Sequence, residues 1–221
     1  MGKPASRRPI STRNTGWAQS AARWLAAAGA TPNAISQASM LCGACGFAAL
    51  WGNAASGPVL SALLLILAAL ACQMRLLCNL FDGMVAVEGG KGAADGPFWN
   101  EAPDRVADLL FFAGAGLAVG EAWLGLLAGA LAVCTAYLRE LGRAEGLLPD
   151  FCGPMAKPHR MAALTAGCVL GAVEVVWLAT HWALFATLWL IALGTAATVL
   201  RRAARMIGAL KALPPAGRSG T

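Results

Sequence analysis

Apolar residues in this chain are grouped into runs, with polar residues confined to the gaps between them. Reading each run of roughly 18–25 residues as one bilayer crossing predicts six transmembrane helices, at about 34–52, 58–80, 106–122, 123–141, 161–180 and 182–200. The fold class this implies is an all-α integral membrane protein with short connections. Ahead of the first run, Trp17, Ala21, Trp24, Leu25 and Ala28 recur at helical spacing, with Arg13, Gln19 and Arg23 off that stripe. This spacing predicts an N-terminal interfacial helix lying on the membrane surface; a disordered basic tail is the other reading of the same residues. No apolar leader followed by a small-residue cleavage site is expected. The chain therefore divides into a tail with its interfacial helix (1–33), a six-helix domain (34–205) and a C-terminal tail (206–221).

Composition agrees with the pattern. Of 221 residues, 58% are hydrophobic and 13% charged, against about a quarter charged in a soluble domain. All 17 Lys and Arg lie in the two tails or around residues 78–108 and 139–160, and the connections near 52–58, 120–123 and 179–182 have none. By the positive-inside bias both termini and both charged loops face the cytoplasm, in the cell (inner) membrane. The net charge of +6 then reads as attraction to anionic membrane lipids, with no nucleic-acid partner. Cys42 and Cys45 form a CxxC without a second pair or a nearby His, so the seven cysteines read as small packing residues. Gly116/Gly120, Gly125/Gly129 and Gly167/Gly171 are spaced for close helix approach, within one chain by default. Glu174, inside the fifth run, reads as a hydrogen-bonded structural carboxylate.

Chemistry concentrates between the second and third runs. Asp82, Glu88, Asp95, Glu101, Asp104 and Asp108 fall within 27 residues. Asn79 and Asp82 are three apart, and Asn100, Asp104 and Asp108 are four apart, so each set shares a helix face. Two such faces joined by a Gly-rich turn gather oxygen ligands near the bilayer surface, which suits Mg²⁺ or Mn²⁺, as one or two ions, better than Zn²⁺.

The same stretch resembles the signature of the CDP-alcohol phosphatidyltransferases, D-x2-D-G-x2-A-R-x8-G-x3-D-x3-D. It fits without a gap at Asn79, Asp82, Gly83, Ala86, Val87, Gly96, Asn100 and Asp104, and matches at Asp82, Gly83, Ala86, Gly96 and Asp104. "ATPNAIS" (30–36) is similar to the family's lead-in to its first span, and "AYLRELGRAEG" and "GPMAKPHRM" to its basic segments. The resemblance implies a six-helix phosphatidyltransferase that moves a phosphatidyl group from CDP-diacylglycerol to an alcohol acceptor, a sugar- or glycerol-phosphate among the candidates, and releases CMP. It implies metal ligation by Asn79, Asp82, Asn100 and Asp104, with Asp104 also the catalytic base. Nucleotide would lie against Asp82, Gly83, Ala86 and Gly96. The acceptor's phosphate would meet Arg139, Arg143, Lys157, His159 and Arg160. The family is often dimeric, so a homodimer is a further expectation.

The signature is degenerate, because two aspartates are Asn79 and Asn100 and the arginine is Val87. Glu88, Glu101 or Asp108 would compensate for the lost carboxylates, and Arg75, Lys91 or Arg105 for the lost cation. Two other classes stay open: a catalytically silent relative that binds a nucleotide lipid or a partner, and a small transporter. The transporter is disfavoured by the lack of ionisable residues deep in five of the spans.

Overall fold

The computed structural model describes residues 15–88 and 94–213. Seven helices account for nearly all of them: α1 (Gly16–Ala27), α2 (Pro32–Asn53), α3 (Pro58–Glu88), α4 (Gly96–Ala118), α5 (Ala122–Ala144), α6 (Lys157–Leu178) and α7 (Trp182–Lys211). Each apolar run lies on its own helix, α2 to α7 in order. Five of these are long and apolar enough to cross a membrane: α2, α3 to Val87, α5, α6 and α7. α4 differs because Glu101, Asp104, Arg105 and Asp108 lie along its first half. Among the described residues, then, five of the six expected spans are found by length and composition.

Helices α2 to α7 form a closed ring, in the spatial order α2, α3, α6, α7, α5, α4 and back to α2. Leu65, Phe111, Phe112, Leu124, Leu164 and Leu188 fill its centre. The 31 residues of α3 and the 30 of α7 exceed the ~20 needed to cross hydrocarbon. Each therefore overhangs by about ten residues, or ~15 Å at 1.5 Å per residue. The α3 overhang begins near Asn79 and the α7 overhang near Arg202, at the same end of the bundle as the start of α4 and of α6. α7 stays helical to Lys211, into the region expected as tail.

Short α1 packs on the end of α3, with Ala18 and Ala22 buried against Leu80, Met84 and Val85. The face packed on α3 is thus distinct from the Trp17 and Trp24 stripe expected to meet the membrane surface. Trp17 and Trp24 are left 53% and 70% exposed, because alanine permits the closer approach to α3.

Each of the three glycine pairs has a member that makes a close helix contact within the chain. A Cβ on Gly116 would stand 2.9 Å from the Cα of Gly125, and one on Gly125 would stand 2.2 Å from the Phe112 carbonyl oxygen. On α6, a Cβ on Gly167 would meet Thr187 Oγ1 at 2.5 Å. Gly120 does something else: with φ +76° it turns the chain between α4 and α5. We expect Gly125→Ala to lower thermal stability in detergent by about 1–3 kcal/mol, because backbone stands in the way of the added methyl.

Glu174 is a helix cap supplied from a neighbouring helix. Its carboxylate accepts hydrogen bonds from the Trp182 and Ala183 backbone N–H groups at 2.8 and 2.7 Å, and from the Thr180 hydroxyl. These N–H groups open α7 and have no partner within it. Glu174→Ala is expected to cost about 1–2 kcal/mol of stability, with Glu174→Gln milder; thermal unfolding of the two variants measures the difference.

Candidate active site

The carboxylates at the charged end of the bundle are of two kinds. Asp104, 8% exposed on α4, has cations on both oxygens. Arg75 Nη2 lies 3.2 Å from Oδ1, Lys157 Nζ contacts Oδ2, and Arg105 is 3.9 Å away. Asp82, buried on α3, accepts one hydrogen bond at Oδ2 from the Ser36 hydroxyl of α2, 2.9 Å long. Its Oδ1 is buried with no hydrogen-bond partner. Asn79, one turn earlier on the same face, has its amide nitrogen in the same condition. Asp82 and Asp104 are close enough for each charge to act on the other.

Behind Asp104 the network continues inward. Arg75, fully buried on α3, also donates to the Asp104 carbonyl at 3.1 Å and to Asp108 Oδ1 at 2.5 Å. Asp108 Oδ2 is 3.7 Å from Arg160 Nη2. Arg160 donates to the Met155 carbonyl at 3.0 Å, and Arg202 of α7 to the carbonyls of Thr135 and Cys152 at 2.8 and 2.9 Å. The start of α4 is held to α2 through Asp95, which accepts from Asn33 at 3.0 Å and from the Trp99 indole at 2.9 Å.

Several expected residues sit elsewhere than their spacing implied. Asn100 is exposed at the start of α4, while Asp104 and Asp108 on its expected face are buried. Glu101 is engaged by Arg105 and Arg139 at 2.6 and 2.5 Å. Arg75 is turned inward to two aspartates, so it does not replace the signature arginine as a surface cation. Arg160 is likewise buried, whereas Arg143 is exposed and pairs with Glu140 at 3.0 Å. Val87 is exposed, and Gly83 and Ala86 are half-buried. Gly96 opens α4 with nothing within 4 Å of the place of its absent Cβ. His159 Nδ1 lies 3.0 Å from the Pro154 carbonyl. Lys91 and the side chain of Glu88 lie outside the described residues.

A cavity of about 510 Å³ opens between the end of α5, the 145–156 loop and the α7 overhang, with Arg139, Arg202, Arg205, Asp150, Leu147 and Met206 in its wall. Burial alone would push the Asp150 carboxyl up. The N–H and thiol of Cys152, with Arg205 and Arg202, outweigh that and hold it below the ordinary carboxylate range. The arginines of α7 escaped the sequence reading. Their signal was the polar stripe Thr195, Thr198, Arg202, at three- and four-residue spacing on an otherwise apolar helix and buried in the fold.

Among the described residues no three His, Cys, Asp or Glu side chains gather as a metal cluster. What is present is a lone carboxylate oxygen, Asp82 Oδ1, beside an amide that can turn its own oxygen the same way. That pair fits one hard divalent cation, which takes neutral and anionic oxygen ligands alike.

Comparisons with known proteins give the chain's likenesses in sequence and in fold. No protein-family model matches the chain. A phosphatidylinositol phosphate synthase of Mycolicibacterium smegmatis is 28% identical over 161 residues, 67% of this chain and 70% of that protein. Two crystal structures of the phosphatidylinositol phosphate synthase of Mycobacterium tuberculosis share the fold at 21% identity, each over 86% of this chain. One, in complex with manganese and citrate, has a TM-score of 0.70 over 88% of its chain; the other, with CDP-DAG bound, has 0.69 over 92%. The resemblance to the CDP-alcohol phosphatidyltransferases thus holds in sequence and in fold.

Proposed function

We propose that this protein is a phosphatidyltransferase that moves a phosphatidyl group from CDP-diacylglycerol to a phosphorylated alcohol. The observation that carries the reading is Asp82 of α3 lying near enough to Asp104 of α4 for their charges to interact, at the charged end of the bundle and on the residues where the family's signature falls.

On this reading α4 crosses the membrane with the other five helices, both termini and the charged rim face the cytoplasm, and the exposed Trp17 and Trp24 seat α1 in the headgroup region. Donor lipid reaches the rim from the bilayer, and the acceptor reaches it from water. The acceptor oxygen attacks the lipid-side phosphorus; that O–P bond forms, the P–O bond to CMP breaks, and the hydroxyl proton goes to Asp104. Arg75 and Lys157 keep Asp104 ionised and fix its direction, at some cost in basicity. Gly83, Ala86 and Gly96 leave room for the nucleotide along the backbone.

A divalent cation at Asp82 and Asn79 would supply charge neutralisation for the diphosphate. The 510 Å³ cavity suits a polar acceptor, since Arg139, Arg202 and Arg205 in its wall match a phosphate. Arg139 also ties that cavity to Glu101, one turn before Asp104 and Arg105.

The test is CMP release by the purified protein given CDP-diacylglycerol, Mg²⁺ or Mn²⁺, and a panel of sugar and glycerol phosphates. Release that needs both metal and one acceptor establishes the reaction. CDP-diacylglycerol binding without release from any acceptor would leave a nucleotide-lipid binder, the outcome to which Asn79, Asn100 and Val87 would then be the key.

A further inference from the structure

The two aspartates at the rim differ in what already satisfies them, and Lys157 is the reason. Lys157 is the first residue of α6, the end of a helix where a cation is disfavoured by the backbone dipole. It is there nonetheless, with its ammonium on Asp104 Oδ2 and its side chain only 25% exposed. Arg75 takes the other oxygen of the same carboxylate. Across from them, Asp82 is only 5% exposed, and its Oδ1 and the Asn79 amide nitrogen are buried without a hydrogen-bond partner. A buried carboxylate oxygen without a donor is costly unless something positive completes it.

From this we infer that Lys157 serves as a built-in cation at the rim, and that the site takes a single divalent ion, on the Asp82 and Asn79 side. The Asp104 side is closed to a metal because its charge is already matched by two side chains, and Asn100, exposed at the head of α4, brings no charge to reopen it. Lys157 also sets how tightly the single ion is held. Its positive charge faces the same aspartate pair and opposes the incoming cation through a partly desolvated gap. The inference rests on the proposed use of this rim as a metal-dependent transferase centre, but it concerns ion count and affinity and is read without turnover.

The experiment is Mn²⁺ titration of the purified full chain, counting bound ions by electron paramagnetic resonance, for the wild type and for Lys157→Met, Lys157→Arg and Asp82→Asn. The wild type should bind one Mn²⁺ per chain. Lys157→Met should bind it about tenfold more tightly or admit a second ion, as expected when a nearby like charge is removed. Lys157→Arg, which keeps charge and length, should match the wild type, and Asp82→Asn should lose the ion. Two ions bound by the wild type, an affinity indifferent to Lys157→Met, or binding that survives Asp82→Asn would each overturn the inference. So would no Mn²⁺ binding by the wild type. Absence of CMP release with one Mn²⁺ still bound would sink the transferase reading alone.

Discussion

Asp104→Asn should reduce CMP release by about 10²–10⁴-fold, the usual worth of a positioned general base, while CDP-diacylglycerol still binds. An amide cannot take the acceptor's proton, yet its volume is that of the carboxylate, so helix packing is kept. The substitution also removes one negative charge facing Arg75, Lys157 and Arg105, which leaves Lys157 without the partner its Nζ contacts. Stability and catalysis therefore have to be separated. Thermal unfolding and CDP-diacylglycerol binding of the variant supply that control, and Asp104→Glu, which restores the charge one methylene away, should recover binding more fully than rate. A variant folded and binding like the wild type that released CMP at the wild-type rate would remove Asp104 from the chemistry.

The second large effect is on the fold. Arg75→Met should destabilise the protein by about 3–5 kcal/mol, because it breaks a buried ion pair from one side only. Asp108 is 1% exposed; without Arg75 its remaining ion-pair partner among the described residues is Arg160, at 3.7 Å. That loss is a large share of a typical total stability of about 5–15 kcal/mol. The pair is not worth so much in itself, since Nε and Nη1 of Arg75 are buried without partners and bring their own desolvation cost. The double variant Arg75→Met with Asp108→Leu should therefore recover most of the loss. Unfolding of the two variants in mild detergent measures this, and a single variant within 1 kcal/mol of the wild type would mean that Asp108 is reached by water or compensated elsewhere.

Those two residues also mark how far the sequence could be read. The helices were legible because a run of apolar residues in a bilayer has few alternatives: backbone groups must be bonded internally, and only a helix does that within one segment. That Asp82 and Asp104 belong to one charged end of the bundle was legible from spacing plus the signature. What spacing does not carry is which partner a charge chooses. Arg75 and Lys91 were equivalent cations in the sequence, but Arg75 lies within a long apolar helix and had to be buried facing acid. Asn100 and Asp108 shared an expected helix face with Asp104, yet Asn100 is exposed and only the inner two are covered. The Ser36 hydroxyl on Asp82 and the Glu174 cap depend on contacts between segments 46 and 8–9 residues apart, which no periodicity encodes. The other face of α1, where Ala18 and Ala22 pack on α3, escaped the sequence reading because alanines are weak in any hydropathy pattern.

The polar first half of α4 has a consequence for how the protein is made. Glu101, Asp104 and Asp108 make this helix a poor candidate for independent entry into a bilayer, where each carboxylate near the centre costs roughly 2.5–3.5 kcal/mol. Arg75, on the preceding helix, is already synthesised when α4 emerges from the ribosome and can neutralise Asp108 at once. Lys157 and Arg160 arrive some fifty residues later. On the six-span reading, α4 would meet Arg75 and the face of α2 before α6 brings Lys157 and Arg160. On that reading, the order of the charges along the chain would also set the order in which they are neutralised during membrane insertion.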